Sequence, residues 1–98
     1  MVITILEANV TPEKGPALEQ AYQAGLGRLD PGIVETFLLH SFKDSTLWRI
    51  LTVWESRQAL DQMRNSGETP RGVLMFRAAE AEPTLSVFDV ASHAAAAT

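Results

Sequence analysis

Residues 47–60 read Leu-Trp-Arg-Ile-Leu-Thr-Val-Trp-Glu-Ser-Arg-Gln-Ala-Leu, an apolar strand that stops at Trp54-Glu55-Ser56 and becomes an amphipathic helix at once. The strand half is rich in β-branched and aromatic side chains, which suit a pleated, packed surface, and Ser56 offers a hydroxyl to the first free amides of the helix. No residues are left over for a loop. A helix that starts directly at a strand end folds back over one sheet face, so this corner commits the chain to a sheet covered by helices.

The same patterning extends through the rest of the chain. Residues 2–10 read as a strand, with Val2, Leu6, Ala8 and Val10 on one face and Ile3, Ile5, Glu7 and Asn9 on the other. Thr11-Pro12 opens a helix on which Leu18, Tyr22, Leu26 and Leu29 recur at helical spacing. Pro16 would clash inside a helix begun at Pro12, which predicts a regular start nearer Gly15 or Pro16. After the turn Asp30-Pro31-Gly32, residues 33–42 alternate as a strand, with Val34, Leu38, His40 and Phe42 on the face toward the helices and Ile33, Phe37 and Leu39 on the other. Lys43-Asp44-Ser45 closes a hairpin onto residues 46–54, which divide into Trp48, Ile50, Thr52 and Trp54 against Leu47, Arg49, Leu51 and Val53. Ser56 caps a second helix that turns Ala59, Leu60 and Met63 inward and ends at Gly67. Thr69-Pro70 caps a short third helix carrying Val73, Leu74, Phe76 and Arg77, and residues 84–90 form a last strand. Residues 1–91 are expected to make one domain, and the Ala-rich tail 92–98 to be mobile, since it has nothing to pack against.

Strand, helix, strand, strand, helix, short helix, strand is the split βαβ order of the ferredoxin-like α+β sandwich, with one antiparallel sheet and helices on one face. A solitary sandwich of this kind turns polar side chains outward on its uncovered face. Here Ile3, Ile5, Phe37, Leu39, Leu51, Val53, Leu85 and Val87 are expected to form a second apolar surface there. At ~25 cal/mol per Å² of apolar area, covering such a face contributes on the order of 10 kcal/mol before association entropy is subtracted. A homodimer joined through the sheets is the simplest cover. In a 98-residue chain, which buries a modest share of its surface alone, association adds needed stability.

Composition narrows the function classes. Twelve acidic and eight basic side chains give a net charge of −4 with no Lys/Arg cluster, the wrong sign for tracking phosphates, so nucleic acid is not an expected partner. The absence of cysteine excludes disulfides, thiolate catalysis and Cys-bound zinc. Two histidines far apart and scattered carboxylates lack the spacing of a metal site, and Gly25-x-Gly27 follows a helix instead of opening one, so neither a metal nor a dinucleotide cofactor is expected. No apolar run approaches membrane-spanning length and the amino terminus lacks a basic leader, which leads to the expectation of a cytoplasmic protein without a membrane partner.

Three stretches together carry a resemblance: Pro31-Gly32-Ile33 opening the second strand, residues 51–60 across the strand-to-helix corner, and Glu82-Pro83-Thr84 opening the last strand. The sequence resembles the antibiotic biosynthesis monooxygenase-like family of dimeric α/β barrels. The resemblance implies a homodimer with a small-molecule site between sheet and helices. The quinone-forming, cofactor-free members of this family use an Asn on the third strand, the corner Trp and a Tyr in the next helix. Of these only Trp54 is retained, the other two positions being Ile50 and Leu60. The heme-degrading branch uses an Asn on the first strand, a second Trp in the corner helix and a His in the following helix. Those places hold Ala8, Met63 and no histidine.

The candidate site residues each have a structural alternative. His40, on the helix-side face, is a candidate base, or else a satisfied core or rim histidine. Trp54 and Trp48 are substrate walls or core anchors. Arg71 and Tyr22 are candidates to hold a developing anion, with Arg77 a further residue at the rim, while Leu60, Met63 and Phe76 would line the pocket. Arg49 calls for a carboxylate, and Glu7 or Glu35 is available on its face. The leading expectation is a cofactor-independent monooxygenase acting on an apolar, phenol- or anthrone-like molecule. The alternatives are a non-catalytic binding or housekeeping homodimer and, third, a heme-binding or heme-degrading protein.

Overall fold

The computed structural model describes residues 1–97. Its elements are β1 (Val2–Asn9), a 3-10 turn (Pro12–Lys14), α1 (Gly15–Gly25), β2 (Ile33–His40), β3 (Leu47–Trp54), α2 (Arg57–Arg64), α3 (Arg71–Ala78) and β4 (Thr84–Asp89). The strands form one antiparallel sheet in the order β2-β3-β1-β4, the ferredoxin-like arrangement. The two prolines near α1 divide the work as steric reasoning requires: Pro12 opens the 3-10 turn and Pro16 occupies the first turn of the α-helix proper. Ser56 caps α2, its hydroxyl accepting the Ala59 amide at 3.1 Å. Thr69 plays no such part, because α3 begins from Pro70 without a side-chain cap. Residues 91–97 are exposed and without regular structure, and Thr98, at the end of the tail, lies outside the described residues.

Register decides which side chains meet the helices. Val2, Thr4, Leu6 and Ala8 of β1 lie opposite Trp54, Thr52, Ile50 and Trp48 of β3, and this face carries the core. The core is divided. One cluster joins Trp48, Phe76, Leu18, Val10, Tyr22 and Ile50 near the hairpin end of the sheet, and a second joins Val2, Trp54, Ala59 and Leu60 under α2.

Two sequence expectations are corrected by the pairing. In β2 the register shifts between Ile33 and Glu35, so Ile33, and not Val34, packs beneath the helices. Thr36, Leu38 and His40 follow on that face, while Val34 is 58% exposed and Phe42 lies beyond the strand in full solvent. In β4, Leu85 and Val87 pair with Leu6 and Thr4 and therefore face the helix side. They stay partly exposed because β4 is an edge strand. Phe88, opposite Ile3, is the apolar β4 side chain that belongs to the uncovered face with Ile5, Phe37, Leu39 and Leu51. Val53 shares that face but is buried. Glu7 and Arg49, register partners on the same face, form the anticipated ion pair.

The pivot of the α1–β2 connection is Gly32. Its φ of +90° lies where a Cβ is strained, and a Cβ there would also collide with the Ala59 side chain of α2. Its carbonyl accepts the Glu55 amide at 2.8 Å, which ties the start of β2 to the Trp-Glu-Ser corner.

Candidate functional site

Between the two halves of the core lies a cavity of about 180 Å³. The sheet supplies its floor through Thr4, Leu6, Thr36, Ile50, Thr52 and Trp54. Tyr22 and Met75 close it from α1 and α3, Leu60 and Met63 from α2, and Arg28, Asp30, Arg64 and Arg71 stand where it opens. Apolar walls with a few convergent polar groups are the usual make-up of a small-molecule site.

The polar groups of the floor form a row across three strands. Thr4 is the register partner of Thr52, and Thr52 that of Thr36. Trp54 Nε1 donates to Thr4 Oγ1 at 3.1 Å, Tyr22 donates its phenolic proton to Thr36 Oγ1 at 3.3 Å, and the Thr36 and Thr52 hydroxyls lie 3.5 Å apart. These threonines were not singled out in the sequence. The available signal was a polar residue at an inward position of each of three otherwise apolar strands, but only the register shows that they are neighbours.

At the opening, Arg71 holds the loop after α1. Its guanidinium donates to the Arg28 carbonyl, and its Nε lies 3.7 Å from Asp30 Oδ1. Asp30 is the one carboxylate among the described lining residues, and it shares the opening with three guanidinium groups. Arg28 and Arg64 have no carboxylate within salt-bridge distance among the described residues.

Of the residues selected from the sequence, Tyr22, Trp54, Leu60, Met63 and Arg71 meet around this cavity. His40, Trp48 and Phe76 do not line it. His40 is level with Trp48 in the register, four residues along β2 from Thr36 and so roughly 13 Å away along the strand. Its ring stacks on the Trp48 indole with centroids 3.9 Å apart and planes 6° from parallel, and its Nε2 donates to the Ser45 carbonyl at 2.8 Å. The imidazole is thus an exposed part of the hairpin, out of reach of a ligand in the cavity. Trp48 and Phe76 fill the core at that end, at 6% and 0% exposure. Arg77 turns to Glu82. Among the described residues no three His, Cys, Asp or Glu side chains converge as a metal site, and no helix is long and apolar enough to cross a membrane.

Solved structures share this fold. The heme-degrader MhuD from Mycobacterium tuberculosis, determined with two hemes in its active site, is 25% identical at a TM-score of 0.68, covering 97% of this chain and 100% of that one. SnoaB, a cofactor-independent oxygenase from Streptomyces nogalater, is 18% identical at a TM-score of 0.66, covering 94% of each chain. A conserved protein from Methanosarcina mazei Go1 is 17% identical at 0.67, covering 90% of this chain and 91% of that one. No curated protein matches the sequence. Among the described residues lining the cavity there is neither an imidazole nor a thiolate, and the Tyr22 hydroxyl is engaged by Thr36, which leaves the thioethers of Met63 and Met75 as the groups there able to ligate a heme iron. The model of the antibiotic biosynthesis monooxygenase family matches residues 1–73, most of the domain, and the chain belongs to that family.

Proposed function

We propose that the protein is a cofactor-independent monooxygenase for a small aromatic molecule, a phenol or a ring ketone with acidic C–H bonds, held between the sheet and the helices. The observation that carries this reading is an apolar cavity with a single carboxylate among its described lining residues, Asp30, set beside the Arg71 guanidinium at its opening. Asp30 replaces His40 as the candidate base. It removes a proton from the ring carbon, and the resulting carbanion, delocalised onto the ring oxygen, transfers one electron to dioxygen. Arg71 stabilises the superoxide so formed. Recombination of the two radicals gives a hydroperoxide, and loss of water leaves a carbonyl. One oxygen atom enters the product, the other leaves in water with the two hydrogens of the carbon, and dioxygen is the oxidant. Trp54, Leu60 and Met63 wall the reacting carbanion off from solvent.

Oxygen uptake with an anthrone tests the reading. Wild type should consume oxygen, His40→Ala should match it, and Asp30→Asn should fall by about a hundredfold or more. No uptake by wild type would sink the enzymatic version. A non-catalytic binding protein is the second reading, favoured by Ile50 and Leu60, which present hydrocarbon to the cavity where the quinone-forming relatives are expected to present Asn and Tyr.

We further propose that two copies associate through the uncovered sheet face. Phe37, Leu39 and Phe88 are 44%, 40% and 53% exposed there, next to half-buried Ile3, Ile5 and Leu51, which is a costly surface to leave in water.

A further inference from the structure

The hydroxyl row on the cavity floor presents O–H donors to the cavity. An indole N–H can only donate, so the Thr4 oxygen that receives the Trp54 proton at 3.1 Å retains its own O–H to give elsewhere. Tyr22 donates to Thr36 at 3.3 Å, and the Thr36 and Thr52 hydroxyls lie 3.5 Å apart, a pair in which either can donate; when Thr36 is the donor, the Thr52 O–H has no acceptor among the described residues. Thr4 thus keeps a free donor, and Thr52 has one whenever Thr36 gives the proton of their pair. Those donors stand side by side, since Thr4 and Thr52 are register partners on adjacent strands and both line the cavity. Their surroundings on the floor, Leu6, Ile50 and the Trp54 ring, offer nothing to accept a proton.

We propose that Thr4 and Thr52 form a two-donor seat for one acceptor oxygen of the ligand, a ring carbonyl that becomes an enolate or phenolate oxygen. The ligand class is accordingly an aryl ketone or its phenol tautomer, bound with its oxygen against the sheet and its opposite ring carbon toward Asp30. This deepens the oxygenase reading and rests on it for the chemistry. Deprotonating the ring carbon moves negative charge onto the oxygen across the ring, where two fixed donors in apolar surroundings favour the anion over the ketone. The seat also gives the protein an anion-holding device at positions other than Ile50 and Leu60, where polar groups are missing.

The test is binding without turnover. Under anaerobic conditions, quenching of tryptophan fluorescence reports the dissociation constants of 1-tetralone and of tetralin, which has the same ring skeleton without the oxygen. Wild type should prefer the ketone by about tenfold, the worth of a good neutral hydrogen bond. Thr52→Val should erase most of that preference and leave tetralin binding unchanged, while Thr52→Ser should restore it. Infrared spectra supply a readout that packing alone would not move: the carbonyl band of bound 1-tetralone should lie at lower frequency in wild type and Thr52→Ser than in Thr52→Val. An equal affinity for the two probes in wild type, or a ketone preference and carbonyl band unchanged in Thr52→Val, would overturn the proposal. Since no oxygen is present, an enzyme that fails to oxygenate anthrones can still show the seat, and an active one can still lack it.

Discussion

Trp54 and Thr4 are joined side chain to side chain across the two central strands, the indole N–H donating to the threonine hydroxyl at 3.1 Å with both residues buried. The bond fixes the edge of the indole that forms one end of the cavity. Thr4→Val keeps the shape and strands the N–H, which should cost about 1–3 kcal/mol. Thr4→Ser should recover most of it. Urea unfolding followed by fluorescence measures both, and a Thr4→Val protein as stable as wild type would show that the bond has no part in holding the ring.

Two glycines with left-handed backbones should respond differently to alanine. Gly32, at φ +90°, would drive its new methyl into Ala59, whereas Gly67, at φ +82°, faces open space. Gly67→Ala is expected to cost about 1 kcal/mol from the backbone alone, and Gly32→Ala at least twice that, since α2 must shift as well. Thermal melts of the two variants side by side check the order.

Acid should loosen the β2–β3 hairpin through Asp44. The side-chain hydroxyl of Thr46 and then its backbone amide, bonded to Asp44 Oδ1 at 2.7 and 2.9 Å, hold the Asp44 carboxyl below its ordinary value of 3.8. A carboxyl whose folded value is depressed favours the fold above its ordinary range and loses that contribution as pH falls through the lowered value. An NMR titration should therefore place the Asp44 midpoint below 3.8, with the Thr46 amide moving in step, and Asp44→Asn should abolish that movement.

The uncovered sheet face gives an association test. Phe37→Glu places a charge amid Leu39, Leu51 and Ile5 on the outer face, so sedimentation at micromolar concentration should show dimers for wild type and single protomers for the variant. A monomeric wild type would remove the proposed interface.

Much of the fold was open to reading in the sequence because its signals are local. The strand-to-helix corner at Ser56, the delayed start of α1 at Gly15 and the order of elements along the chain all follow from alternation, capping and proline sterics over short windows. The site was less accessible. His40 looked inward by alternation, and it does share the helix-side face, but its position along the strand relative to the cavity depends on which β3 residue it meets. The bulge near Val34 changes the phase of the strand without a glycine to announce it. Thr4, Thr36 and Thr52 each look like ordinary strand formers, and they become a row only through the pairing of three separate strands.

The gap between the Trp48 and Trp54 halves of the core has a thermodynamic consequence. A guest that fills it knits two separately sealed ends into one and is lost when the chain unfolds, so by mass action it raises the melting temperature in proportion to the logarithm of its concentration. The protein's own heat resistance is thus a gauge of what it was built to hold.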